Sequence, residues 1–201
     1  MTIIAPALTI IKNDLNISFE NTQLILTLYF TFLAFGQILS GPFSDKYGRK
    51  PILLLGASIY SISAFFASLS SNIDILLILR CFQGFGAAAC LSVGRTILSD
   101  CYEIKEAAKE MSKMTAIMAV IPISCFIFGG FLAEFLGWRT NLIALGLVSL
   151  ILIIAMSFLL NETLIKKAES ISFKNMFIVY RGLLKNLSFN FFTITTAMQT
   201  S

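Results

Sequence analysis

Gly41-Pro42-Phe43-Ser44-Asp45-Lys46-Tyr47-Gly48-Arg49-Lys50 is a short charged interruption between two long apolar runs, residues 22–43 and 52–70. At 1.5 Å of rise per residue, each run is long enough to cross a hydrocarbon layer roughly 30 Å thick as a helix. The stretch therefore reads as a loop between two membrane helices. Gly41 permits close backbone approach at a helix end and Gly48 supplies a tight turn. Asp45, Arg49 and Lys50 sit where ionised groups can still reach water and headgroups. A generic basic loop accounts for Lys46, Arg49 and Lys50 but not for the spacing of Gly and Asp around them.

Outward from this loop the apolar pattern repeats. Further windows cover 75–99, 114–136 and 141–160, giving five complete spans with 22–43 and 52–70. Residues 1–11 form an apolar half-helix, reaching about 16 Å, without the basic start or small-residue cleavage pattern of a signal peptide. This predicts that the sequence begins inside a first membrane helix. A sixth apolar stretch opens at Leu187 and runs to Ser201, the expected start of a truncated seventh helix. Between them, 161–186 reads as a linker. There an apolar face through Met176, Phe177, Tyr180, Leu183, Leu184 and Leu187, interleaved with Lys174, Arg181 and Lys185, predicts an interfacial amphipathic helix.

Composition agrees with lipid as solvent: 57% of residues are hydrophobic and 13% charged, with a mean hydropathy of +0.84. Ordinary soluble domains carry about 25% charged residues. The net charge of +4 could suggest nucleic acid, but the basic residues are scattered through short loops and form no continuous face, so no nucleic-acid partner is expected. Cys81, Cys90, Cys101 and Cys125 lack metal spacing and the chain has no His. They read as small helix fillers, with no metal and no cofactor implied.

Lysine and arginine alternate from loop to loop. Lys46, Arg49 and Lys50 mark one side, as do Lys105, Lys109 and Lys113, then Lys166, Lys167, Lys174, Arg181 and Lys185. The intervening turns hold only Lys12 and Arg139. By the positive-inside rule, loops near 44–51, 100–113 and 161–186 are expected in the cytoplasm, with the spans in a plasma membrane, the bacterial inner membrane.

Arg80-Cys81-Phe82-Gln83-Gly84-Phe85-Gly86-Ala87-Ala88 places a cation inside an apolar window. A charge there costs about 2.5 to 3.5 kcal/mol on insertion scales unless water or a partner meets it. Arg80 is thus a functional candidate, against the alternatives of a structural arginine and of one snorkelling to the outer interface near Asp74. Gly84 with Ala88, and Cys90 with Gly94, set small residues four apart and invite a neighbouring helix. Asp100 lies about 30 Å along the same helix, at the depth of Arg49, which predicts an Arg49–Asp100 pair. Tyr29, Phe32, Gln37 and Gln83 are candidate cavity-lining residues.

Taken together, Gly41, Asp45, Gly48, Arg49 and Lys50 resemble the loop signature of the major facilitator superfamily. Arg80, Gln83 and Gly84 resemble the motif of its fourth helix. The resemblance implies an all-α membrane protein, the N-terminal six-helix half of a major facilitator fold. It also implies that the loop residues and Asp100 latch one conformation, while Arg80 with Gln83 and Gly84 couples protons or substrate. Residues 93–100 are similar to the drug:proton antiporter branch, specifically the bicyclomycin-resistance (Bcr/CflA) type. Gly129 and Gly130, followed by Gly137-Trp138-Arg139, resemble its fifth-helix motif, with Gly129 and Gly130 expected to pack helices. The match is incomplete, because Phe126 stands where the branch has Pro and Pro122 lies upstream. Ala5-Pro6-Ala7-Leu8 resembles the Pro-containing first-helix motif, and the acid many of these antiporters carry earlier in that helix would lie before Met1.

The implied function is proton-driven efflux of small amphipathic drugs, energised by the proton gradient; assembly with a separately encoded C-terminal half, or homodimerisation, would be needed to rebuild a pathway. The alternatives are a remnant inactive alone and a metabolite or sugar carrier of the same superfamily. No P-loop occurs, which argues against ATP-driven transport. No nucleophile, base or metal cluster assembles, so an enzyme is not expected.

Overall fold

Polar residues start two of the long helices, where the apolar runs alone would leave amides unpaired. Ser18 accepts from the Asn21 amide at 3.2 Å and begins α2, Phe19–Tyr47; Asn72 accepts from the Asp74 amide at 2.9 Å and begins α4, Ile73–Cys101. Both caps satisfy first-turn donors that have no intrahelical partner. Within α2, Thr27 and Thr31 return their hydroxyls to the carbonyls four residues back, so that these polar side chains are satisfied without water.

The computed structural model describes residues 3–164, together with Arg181, Gly182, Lys185, Leu187, Asn190 and Phe191. A 3-10 turn, Ala5–Ala7, leads into α1, Leu8–Asp14. After α2 come α3, Arg49–Ser68, then α4, then α5, Ile104–Leu136, and α6, Trp138–Leu159. Residues 3–164 contain no strand, and five of these helices, α2 to α6, are long and apolar enough to cross a membrane. The protein is an all-α membrane protein. The later residues that are described are each helical; the interfacial helix expected near 173–187 and the seventh-helix start at 187–201 otherwise lie outside the described residues.

Two boundaries differ from the apolar windows. The 41–50 stretch is not a loop: α2 continues through Pro42 to Tyr47 and only Gly48 separates it from α3. The helix persists because its final polar residues bond back into it, the Ser44 hydroxyl to Gly41 O at 2.8 Å and the Gly48 amide to Ser44 O at 3.0 Å. Similarly α5 begins ten residues before its apolar window, since Lys105, Glu106, Lys109 and Glu110 are good helix formers. Hydropathy reports where lipid begins, not where a helix begins. The 29 residues of α2 and of α4 span about 43 Å and project beyond a core about 30 Å thick.

Two turns have the same backbone form. Gly48 has φ +109° and ψ 154°, and Gly137, between α5 and α6, has φ +86° and ψ 155°. They lie at opposite ends of the bundle, here called the basic end (Arg49, Lys50) and the far end.

Helix α4 is the central element, packed against α2 and α3, with α6 against the other side of α3. Contact is close because small residues face one another: an added Cβ at Gly84 would strike the Tyr29 carbonyl, and one at Gly56 would lie 2.5 Å from Ala89 Cβ. Hydroxyls bridge α3 and α6, Ser61 to Gly146 O at 2.9 Å and Ser149 to Ala57 O at 3.1 Å. Ile4, Ile11, Ile25, Ala67, Leu76, Trp138 and Leu142 form the apolar core at the far end. Phe126, Ile127, Phe128, Ile151 and Leu152 stay exposed on α5 and α6, as expected where lipid is the solvent.

Candidate functional site

At the basic end a single guanidinium gathers three segments. The positive φ of Gly48 turns the chain so that Arg49 opens α3 with its side chain folded back over the end of α2. Arg49 Nη1 donates to Asp45 Oδ1 at 2.5 Å and to Ser44 Oγ at 2.7 Å, while Nε donates to Asp100 Oδ2 at 2.9 Å. Arg49 is only 6% exposed. The planar fork of arginine suits this division between two carboxylates, and a lysine could not reproduce it. The predicted juxtaposition of Arg49 and Asp100 is therefore present, tying α2, α3 and α4 together.

Lys50 points elsewhere. Its Nζ donates to the Ser157 carbonyl at 2.8 Å, near the end of α6. Beside it lies an acid that the sequence reading passed over as linker, Glu162. Its Oε1 accepts from the Arg49 amide at 2.9 Å and its Oε2 from the Lys50 amide at 3.3 Å. Gly48 has no side chain to cap α3, so Glu162 supplies the cap from 113 residues away along the chain. Burial works against the charge on Glu162, but the amides of Leu164, Arg49, Lys50 and Thr163 outweigh it and hold the carboxyl below its ordinary range. An acid immediately after an apolar helix, on the side rich in lysine, was the available signal. Gly48 is thus constrained twice: by its dihedral and by the carboxylate, because a Cβ there would come within 2.5 Å of Glu162 Oε2.

Arg80 occupies the middle of the bundle on α4 and is 0% exposed, as is Gln83. Three residues apart, they share a helix face, and Arg80 Nη1 donates to Gln83 Oε1 at 2.6 Å. Arg80 Nε and Nη2 and Gln83 Nε2 find no acceptor among the described residues. Tyr29 and Tyr60 lie within electrostatic reach. Asp74 is exposed at the helix start, and the complete burial of Arg80 excludes the snorkelling alternative. Of the other candidate lining residues, Phe32 borders an apolar cleft of about 490 Å³ with Ile59, Ile78, Cys81, Phe82 and Phe85. Tyr29 is buried against Gly84, and Gln37 is half-buried on α2.

The expected packing glycines separate into two groups. Gly84 abuts the Tyr29 carbonyl, Ala88 faces Gly36, Gly129 abuts the Ile3 carbonyl, and Gly130 has the Pro6 ring 3.7 Å from where its Cβ would be. Among the described residues nothing lies within 4 Å of a Cβ added at Gly41 or Gly94, so the close approach and packing expected of them are not made within this part of the chain. The spacing of small residues marks faces that permit contact without saying which face has a neighbour. Cys101 is likewise exposed, unlike a helix filler.

At the far end Asp14 accepts from Trp138 Nε1 at 2.9 Å and from Arg139 Nη1 at 2.7 Å, while Arg139 Nη2 donates to Ser70 O at 3.3 Å. The Trp138 and Arg139 hydrogen bonds hold the Asp14 carboxyl below its ordinary range. Asn141, fully buried, donates to both Ile3 O and Gly129 O. This set fastens the first segment to α5 and α6, and the sequence reading did not identify it.

The family model described as Major Facilitator Superfamily matches residues 1–200. The chain belongs to the major facilitator superfamily. Among curated relatives, this major facilitator chain is 32% identical over 158 residues to a bicyclomycin resistance protein homolog of Haemophilus influenzae, covering 79% of this chain and 40% of that protein. It is 33% identical over 193 residues to the uncharacterized MFS-type transporter YdgK of Bacillus subtilis, covering 94% and 48%. To the multidrug resistance protein MdtL of Escherichia coli it is 28% identical over 153 residues, covering 76% and 39%. The chain spans half or less of the length of these relatives. Its helices form an integral membrane unit consistent with the N-terminal half of the superfamily fold.

Proposed function

We propose that this chain forms the N-terminal half of a proton-coupled exporter of small amphipathic drugs, acting with a C-terminal half across a plasma membrane, with its basic end in the cytoplasm. The observation that carries the reading is the buried Arg80–Gln83 pair, in which Arg80 Nε and Nη2 and Gln83 Nε2 have no acceptor among the described residues. A guanidinium does not release its proton at physiological pH, so Arg80 is not the proton carrier. Its part is to attract an acceptor, a substrate group or a titrating carboxylate, and to favour the ionised form of that carboxylate. Substrate and the ionised carboxylate then compete for one cation, and a carboxylate displaced by substrate takes up a proton, which is the basis for exchange. Relatives named for bicyclomycin and multidrug resistance favour drugs over sugars as cargo.

The basic-end ion pairs would form the latch of one conformation. Arg49, Asp45, Asp100, Gly48 and Lys50 contribute directly, and their breakage would accompany the rocking of two halves about a midplane site.

The test is ethidium or chloramphenicol accumulation in efflux-deficient bacteria. The cells would express the 201 residues with the second half of the Haemophilus relative, with and without a protonophore. The reading expects lowered accumulation that the protonophore abolishes and that Arg80→Gln loses. Accumulation insensitive to either treatment would refute it. The same chain expressed alone is expected to leave accumulation unchanged, which is the behaviour of an inactive remnant.

A further inference from the structure

We propose that Glu162 is a positioning residue of the basic-end latch: by holding the first two amides of α3 it sets the reach of Arg49 to Asp100, and so links the segment following α6 to the end of α4. This rests on the latch reading above for its functional consequence, although the linkage itself is a property of the structure.

Glu162 does not touch the Arg49 guanidinium. It binds the Arg49 backbone amide at 2.9 Å and the Lys50 amide at 3.3 Å, and Lys50 Nζ fixes the neighbouring Ser157 carbonyl at 2.8 Å. The end of α6 is therefore attached to the start of α3 through two backbone amides and one ammonium. The side chain of Arg49 in turn spans from that fixed amide to Asp45 on α2 and Asp100 on α4. Its distances of 2.5 and 2.9 Å hold only while the first turn of α3 keeps its place. Without the carboxylate, the amides of Arg49 and Lys50 have no other side-chain cap among the described residues, since Gly48 offers none. The turn then frays, as uncapped helix ends do. Fraying displaces the Cα of Arg49 and weakens both ion pairs at once.

Glu162 stands three residues beyond the end of α6, at the root of the segment running toward the later residues. A pull on that root would act on the carboxylate before anything else at the basic end. In a transporter this gives the connecting segment a route to the latch that bypasses the membrane interior.

The distinguishing measurement is hydrogen–deuterium exchange of the full 201-residue chain in lipid nanodiscs, read at the Arg49 and Lys50 amides and separately in residues 98–102 of α4, which Glu162 does not contact. Glu162→Ala is expected to speed exchange at both places by roughly three- to tenfold, the size of a lost helix cap. In 98–102 it should match Arg49→Ala, with the double variant no faster than either single one. Glu162→Gln retains one acceptor and should fall between Ala and wild type. It also serves as the folded reference where the Ala variant unfolds. Faster exchange confined to α3, or effects of Glu162→Ala and Arg49→Ala that add in 98–102, would overturn the proposal and leave Glu162 a helix cap alone. Because no transport is measured, a failure of drug efflux does not change this outcome.

Discussion

Arg49 and Gly48 carry more of the basic end than neighbouring residues of equal charge or size. Arg49 divides its guanidinium between Asp45 and Asp100, so removing one carboxylate leaves a nearly buried cation with a single counter-ion. In unfolding experiments in detergent, Arg49→Ala and Asp100→Ala are expected to be non-additive by at least about 0.5 kcal/mol; a sum equal to the double variant would show that the pair is energetically idle. Gly48→Ala combines a positive φ with a clash at Glu162, and a loss of about 1 to 3 kcal/mol is expected. Part of that loss should disappear when Glu162 is also Ala, because the steric component is then gone. A penalty of equal size in both backgrounds would argue for backbone strain alone.

Helix packing separates glycines that the sequence treats alike. Gly84→Ala pushes a methyl into the Tyr29 carbonyl and must move α2 from α4, whereas a Cβ at Gly94 has nothing within 4 Å among the described residues. Gly94→Ala is expected to be neutral or to stabilise by up to about 1 kcal/mol through lower helix entropy cost, while Gly84→Ala lowers the unfolding temperature; equal shifts for the two would contradict this packing. The difference shows what was readable in advance. The helices, their order and the depth of Arg49 and Asp100 follow from apolar periodicity and a fixed rise per residue. Gly94 and Gly41 could not be told from Gly84 because spacing identifies a permissive face but not its neighbour. Glu162 and Asn141 were missed because each has a partner more than a hundred residues away in sequence, the Arg49 amide and the Ile3 carbonyl. The local signal, an acid just after an apolar helix on the lysine-rich side, places the carboxylate at the basic end without naming its partner.

For the whole molecule, each end carries one carboxylate whose affinity for protons is lowered by folding, Asp14 at the far end and Glu162 at the basic end. The unfolded chain binds protons more readily at both. Their contribution is therefore complete above the ordinary carboxylate range, about 3.9 to 4.3, and is lost as pH falls through the lower native values. Thermal stability is expected to hold from pH 7 to about 5 and to decline below that. Asp14→Asn with Glu162→Gln should lower the plateau and flatten the acid limb; an acid limb of unchanged steepness would place the responsible groups elsewhere.

The two glycine turns occupy equivalent places in the fold. Gly48 precedes α3 and Gly137 precedes α6, with nearly the same dihedral angles, at opposite ends of the bundle. Each is followed within two residues by an arginine bound to an aspartate from another segment, Arg49 to Asp100 and Arg139 to Asp14. Three helices followed by three more in the opposite sense is the inverted-repeat plan of such transporters, and these turns are its corresponding joints. Three basic residues, Lys46, Arg49 and Lys50, surround the first joint against Arg139 alone at the second, and this asymmetry is what gives each half of the pattern a single orientation across the bilayer.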